Sequence, residues 1–147
     1  MLDAAHVTYS VHEYAYDPNA ERIGVQAAES LGVPAAQVLK TLMAEVDRAA
    51  VCVLVSSDRE VQLKKLAAAR SGKSAEMMKP AEAERFTGYH VGGISPFGQK
   101  KRVPTVVDES ALRFERVFVN GGQRGLQLRL DPNDIVRVLG ATIAPVT

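Results

Sequence analysis

At 147 residues, with 46% apolar and 24% charged side chains, the chain is long enough to bury a real core, and one domain over 1–147 is expected. A net charge of +1 exerts no overall pull on nucleic acid, so only a local basic patch would hold a phosphate backbone. No apolar run approaches the roughly 18 residues of a membrane span, no charged-then-apolar leader opens the chain, and the single cysteine excludes an internal disulfide; a cytoplasmic protein with no membrane partner is expected.

In chain order, Met1 to Ala5 reads as the last turn of a short helix and Thr8 to Tyr16 as an alternating strand, broken by Asp17-Pro18-Asn19. Ile23 to Leu31 has helical spacing and stops at Gly32 before Pro34. Val38 to Val46 and Ala50 to Ser56 read as a hairpin through the polar turn Asp47-Arg48. Ser57 or Asp58 is the expected cap of a helix over Val61 to Arg70, with Leu63, Leu66 and Ala67 inward and Lys64 and Lys65 outward. Two short helices follow, Ser74 to Met78 and Pro80 to Phe86. Tyr89 to Val91 is a short apolar run, Thr105 to Val107 a strand, and Glu109 to Leu112 a helical turn. Arg116 to Val119 and Leu126 to Leu130 are strands flanking Asn120-Gly121-Gly122, and Asp131-Pro132 opens a helix to Leu139 closed by Gly140. Hairpins interspersed with helices predict an α+β fold with a mixed sheet.

The stretch Thr87 to Asp108 carries Gly92, Gly93, Gly98 and Pro96, then the basic run Lys100-Lys101-Arg102. Such a loop can turn several N–H groups toward one oxyanion, carbonyl or phosphate. The plainer reading, an ordinary turn with a solvated basic flank, is the one the loop alone favours. Lys40 is the most informative single residue. On a strand it shares a face with Val38, Leu42, Ala44 and Val46, so its ammonium must reach a pocket, a carboxylate or an anionic ligand. A lysine snorkelling at a sheet edge fits the spacing equally well.

Other candidates are weak. Cys52, within Ala-Val-Cys-Val-Leu-Val, reads as a small buried hydrophobe rather than a nucleophile. No H-x-x-x-H, H-E-x-x-H or G-x-S-x-G occurs, so neither a metal, a cofactor nor a hydrolase triad is expected. Lys64, Lys65, Arg70 and Lys73 form one basic group and Lys100, Lys101 and Arg102 another. Both suit phosphate contacts, although each lysine alone reads as a solubilising charge.

Three segments taken together, Val-Leu-Lys-Thr-Leu (38–42), Thr-Gly-Tyr-His-Val-Gly-Gly-Ile-Ser-Pro-Phe-Gly-Gln-Lys-Lys-Arg (87–102) and Gly-Gly-Gln-Arg-Gly-Leu (121–126), resemble the YbaK/EbsC-type Cys-tRNA(Pro) deacylases. These are free-standing relatives of the editing domain inserted in bacterial prolyl-tRNA synthetases. Tyr14-Ala-Tyr-Asp-Pro18 is similar to the family's Tyr-x-x-Asp-Pro segment. The resemblance implies a mixed, barrel-like β-sheet flanked by helices and a pocket lysine, Lys40, near the terminal adenosine of the tRNA. It implies a Gly-x-x-x-Pro loop, Gly92 to Pro96, in which amides near Gly93, Ile94 and Ser95 hold the aminoacyl carbonyl. Tyr14, Thr41, Phe97, Gly121 and Gly122 would line the substrate pocket, with Lys64, Lys65, Lys100, Lys101 and Arg102 as weaker tRNA contacts. Gln127 stands where some members carry an acid, and His90 where an aliphatic residue is usual.

What the resemblance implies for chemistry fits the missing nucleophile. The substrate's own cysteine sulfur attacks its carbonyl, and the protein orients and stabilises. Aminoacyl-tRNA is the implied substrate and prolyl-tRNA synthetase the implied protein partner. An Ala-tRNA(Pro) deacylase using water, and a non-catalytic tRNA- or synthetase-binding module, are the competing readings.

Overall fold

A computed structural model describes residues 2–16 and 23–147, without the side chain of Ile23. The expected helical role of Met1 and the breaker Asp17-Pro18-Asn19 lie outside the described residues. Among those described, the chain forms β1 (Tyr9–Glu13), α1 (Ile23–Leu31), β2 (Leu39–Val46), β3 (Ala49–Ser56), α2 (Leu63–Ala69), β4 (Ala75–Met77) and α3 (Pro80–Thr87). The second half adds β5 (Thr105–Asp108), β6 (Val117–Asn120), β7 (Leu126–Leu130), α4 (Pro132–Leu139) and β8 (Thr142–Ala144).

The hairpin of β2 and β3 sets the frame. Asp47 and Arg48 have φ of 49° and 70°, the doubly left-handed turn whose twist matches antiparallel strands. It fixes the register from Val46↔Ala49 to Leu39↔Ser56. The Asp47 carboxylate then accepts the Lys73 and Ser74 amides at 3.0–3.1 Å, tying the turn to the chain beyond α2. Beside β3 run β5 and β8 in parallel, and beside β2 runs β4, so the described order is β4-β2-β3-β5-β8. A second, antiparallel sheet has the order β1-β7-β6 and meets the first through the bridge Val38↔Phe118. The expected mixed α+β fold holds, with the sheet in two parts.

Both faces of the larger sheet are covered. On one, Val51, Val53 and Val55 pack with Leu66 and Ala67 of α2. On the other, Leu39, Leu54 and Val107 pack against Val117, Val119 and Leu130 of the smaller sheet and Ile135 of α4. Helix α1 sets Ala27 and Ala28 on Val38 and Phe118.

Some expectations fail for identifiable reasons. Ser74 to Met78 is not helical; Ala75–Met77 pairs with Ala44–Val46, because an open sheet edge satisfies three backbone units better than an isolated turn does. Neither Ser57 nor Asp58 caps α2, which begins after Gln62 without a side-chain cap; the Ser57 hydroxyl donates to the Val38 carbonyl instead. Leu63 is 38% exposed rather than inward. The apolar run Tyr89 to Val91 lies outside the strands, its Tyr89 and Val91 amides donating to the Thr87 hydroxyl and the Glu84 carboxylate. The strand after the central loop does start at Thr105, as expected, since Pro104 has no N–H and contributes its carbonyl to Cys52.

Asp108 is a buried charge that closes the C-terminal end. It is 2% exposed and accepts the Val146 amide at 2.9 Å, the Ser110 amide at 3.3 Å and the Ser110 hydroxyl. Burial pushes its pKa up, but these hydrogen bonds, with one from Thr147, together hold it below the ordinary carboxylate value. A carboxyl depressed in the folded state stabilises above its unfolded pKa, about 3.9, and loses that contribution as pH falls through the lower folded value. Asp108→Asn should therefore melt below wild type at pH 7, and the gap should close as the pH drops below about 4. Thermal melts of both proteins across this range check it; a gap constant with pH would show that the charge is not what matters.

Candidate active site

Strand β4 pairs with β2 only at Ala44–Val46, and β6 meets the chain leading into β2 through the bridge Val38↔Phe118. Between them the edge of β2 is uncovered, and there a cavity of about 410 Å³ opens. Lys40, Thr41, Leu42 and Met43 form its floor; Met77, Met78, Pro80 and Ala83 form one wall. Val91, Gly92 and Ile94 of the central loop face them, with Asn120 and Gln127 from β6 and β7 alongside. Met77 and Val91 stay 41% and 38% exposed, giving the mouth an apolar rim.

Lys40 lies where the apolar face of β2 ends. Leu42, Ala44 and Val46 continue into the cluster under α2, while the Lys40 ammonium turns to the Glu60 carboxylate at 3.2 Å. The lysine side chain is 22% exposed and that of Glu60 79%. A cation held at the cavity by one exposed carboxylate can exchange that partner for an anionic ligand at small cost.

The central loop is braced from two sides. The Val91 amide donates to Glu84 of α3 at 2.9 Å, and that amide and His90, against the opposing effect of burial, hold the Glu84 carboxyl below its usual pKa. The Val91 carbonyl accepts Arg124 Nε at 3.0 Å. Asn120 ties the loop to the β6–β7 turn, its Nδ2 donating to the Gly92 and Gln123 carbonyls at 3.2 and 3.1 Å while Oδ1 accepts the Gly122 amide at 2.6 Å. Gly93 donates to the His90 carbonyl at 2.8 Å. Among the described residues this leaves the Ile94 and Ser95 amides with no protein acceptor, next to the cavity that Ile94 lines.

The residues singled out in the sequence are thus partly brought together. Lys40, Thr41, Gly92 and Ile94 line one cavity. Ser95 and Phe97 are 2% and 6% exposed and border a separate depression with Tyr89 and Gly121. There the Ser95 hydroxyl accepts the Phe97 amide at 3.1 Å, and Phe97 joins the core. Pro96 is buried beside a third hollow that Arg102 also lines. Gly122 packs against the Tyr89 ring rather than the cavity. Tyr14 is packed with α1 and Phe118; burial pushes its phenol above the usual pKa, partly offset by the Gln127 side chain and the Gly125 backbone. Lys64, Lys65, Lys100 and Lys101 are exposed and line no part of the cavity, Lys101 lying over the Phe86 ring at 4.7 Å. Cys52 is buried with its thiol pushed up to about 12, mainly by burial, so it stays protonated and unreactive.

Sequence reasoning missed Glu60, Asn120 and the two methionines. Asn120 was legible only as a turn residue, although Asn before Gly-Gly is equally a side chain able to bond two loops. Nothing local marks Met77 and Met78 as cavity wall, because β4 had not been expected.

Comparison with known proteins identifies the relatives of the chain. A family model described as "Aminoacyl-tRNA editing domain" matches residues 17–138. The chain is 34% identical over 148 aligned residues to a protein of Enterococcus faecalis named "Putative Cys-tRNA(Pro)/Cys-tRNA(Cys) deacylase EbsC", covering 100% of this chain and 90% of that one. It is 33% identical over 91 residues to a proline--tRNA ligase of Acidithiobacillus ferrooxidans, covering 62% of this chain and 16% of the ligase. A crystal structure described as "a putative trans-editing enzyme for prolyl tRNA synthetase" superposes with a TM-score of 0.83 at 26% identity, covering 99% of this chain and 91% of the other.

Proposed function

Because this chain belongs to the aminoacyl-tRNA editing domain family, we propose that it is a trans-acting deacylase that removes cysteine from mischarged Cys-tRNA(Pro), and from Cys-tRNA(Cys). The observation that carries the reading is one cavity lined both by Lys40 of β2 and by Gly92 and Ile94 of a loop whose Ile94 and Ser95 amides have no acceptor among the described residues. No nucleophile of the protein is needed. The cysteinyl sulfur attacks its own ester carbonyl, forming a C–S bond and a tetrahedral oxyanion. Collapse breaks the bond to the ribose oxygen, which takes the thiol proton, and a four-membered thiolactone leaves to be hydrolysed in water. The Ile94 and Ser95 amides stabilise the oxyanion, and Lys40 moves from Glu60 to the phosphate or ribose of the terminal nucleotide. Cavity walls hold the thiol near the carbonyl and exclude water.

The exposed Lys64, Lys65, Lys100, Lys101 and Arg102 would contact the tRNA body. A protein with net charge of +1 has little long-range grip on RNA, so prolyl-tRNA synthetase is the proposed partner that delivers the right tRNA, in the cytoplasm. Deacylation of Cys-, Ser- and Ala-charged tRNA(Pro) tests the reading. The cysteinyl ester should be cleaved about 100-fold faster than the seryl one or more, because only it carries the internal nucleophile. Equal rates on all three would replace the thiol step with water attack, faster alanyl cleavage would make this an Ala-tRNA(Pro) deacylase, and no cleavage would make it a binding module.

A further inference from the structure

Gln127 is a buried polar side chain in the cavity wall. It is 4% exposed, it lines the cavity, and its Oε1 is buried with no hydrogen-bond partner among the described residues. The Thr41 hydroxyl, in the floor of the same cavity, is likewise buried and unpartnered. Buried acceptors are rarely left unmade in a folded protein unless something else supplies the hydrogen. The nearby Tyr14 hydroxyl is also buried without a partner among the described residues, so it does not supply the hydrogen that Oε1 lacks.

We propose that Gln127 Oε1, together with the Thr41 hydroxyl, receives the α-amino group of the esterified amino acid. The inference rests on the deacylase reading and gives it a second recognition element. Gln127 is the register partner of Asn120, which holds the Gly92 carbonyl at 3.2 Å, so its acceptor lies beside the loop whose amides are donors. In an aminoacyl ester the carbonyl and the amine sit on adjacent carbons. Donors from the loop and acceptors from the neighbouring strand reproduce that pairing. A ribose hydroxyl would bring one hydrogen to two acceptors, whereas an amine brings enough for both. The acceptors are neutral, so a free amine is bound in either protonation state, while an N-acylated one keeps a single N–H for two acceptors and is disfavoured. The site would act on newly charged tRNA and spare N-blocked esters.

The test uses binding, so that it reads out whether or not turnover occurs. Hydrolysis-resistant adenosines bearing a 3′-amide-linked cysteinyl group, or the same group without its amine (3-mercaptopropionyl), are titrated calorimetrically into wild type, Gln127→Leu and Gln127→Glu. Wild type should prefer the amine-bearing ligand by roughly 10- to 100-fold. Gln127→Leu should bind both ligands alike, at the level of wild type with the des-amino ligand, and Gln127→Glu should restore the preference. Equal weakening of both ligands by Gln127→Leu would overturn the assignment, leaving Gln127 a packing residue. The assignment falls equally if the effect of Gln127→Leu vanishes only with a 2′-deoxy ribose, which would make Gln127 a ribose contact. Loss of deacylation in wild type with the amine preference intact would sink the proposed reaction and not the amine subsite.

Discussion

Lys40→Ala should lower kcat/KM for Cys-tRNA(Pro) by about 100-fold or more while leaving the fold nearly untouched. The two halves of this expectation have different physical sources. Stability depends little on Lys40 because its partner Glu60 is 79% exposed, and an ion pair with one solvated member contributes about 0–1 kcal/mol. Its apolar stem is replaceable by the methyl of alanine next to Leu42 without opening the sheet. Activity depends on it because the charge stands in the cavity before substrate arrives, and loss of one preorganised electrostatic partner costs roughly 10²–10³ in rate. If Lys40 meets a phosphate, the salt dependence of KM should flatten by about 0.7 in log–log slope for a single-stranded end. Lys40→Arg should keep that slope yet recover only part of the rate, since a planar fork does not occupy the space of an ammonium. Glu60→Gln should act in the opposite sense and tighten substrate binding, because it removes the competing carboxylate. Unchanged kcat/KM in Lys40→Ala would detach the cavity from the chemistry.

The contrast between what the chain announces and what it hides has a physical pattern. Helix α4 and strand β7 are found at the boundaries the sequence predicts, and α1 ends where it predicts, at Leu31, because each of these ends is marked by a residue with its own conformational or capping preference. Gly140 with φ 60° and Asp131 accepting the Asn133 amide at 2.9 Å are such marks. Strands β4 and β8 are three residues each and carry no alternation of their own; they exist because a neighbouring edge offers hydrogen bonds. In the same way, Lys40 stood out because its strand neighbours are apolar, a local pattern. Asn120, Gln127 and Glu60 acquire meaning only from what the folded chain brings next to them, and Gly121 and Gly122 serve the packing of the turn. Residues placed by tertiary contact leave little trace in spacing.

Gly93→Ala is expected to cripple deacylation by about 100-fold or more with the protein still folded. The obstacle is close approach: a Cβ at this position would lie 2.9 Å from Arg124 N, 3.0 Å from Gln123 C and 3.3 Å from Gln123 Cα. These are backbone atoms of the β6–β7 turn, and that turn cannot yield, being pinned by Asn120 to Gly122 at 2.6 Å and by the Leu126 amide to the Gln123 carbonyl at 3.2 Å. The central loop must therefore retreat, stretching the Asn120–Gly92 and Arg124–Val91 bonds and carrying the Ile94 amide away from the carbonyl. Overpacking of this kind costs about 1–3 kcal/mol, so the melting temperature should fall by several degrees. Gly140→Ala separates the two effects. Gly140 has φ 60°, and a methyl at its Cβ position would meet nothing within 4 Å, so alanine there incurs the left-handed penalty of about 1 kcal/mol at a helix end remote from the cavity. Comparable destabilisation in the two variants, with activity lost only in Gly93→Ala, would place the loss in the loop's position. Equal retention of activity would mean that the amides of residues 94 and 95 take no part in the reaction.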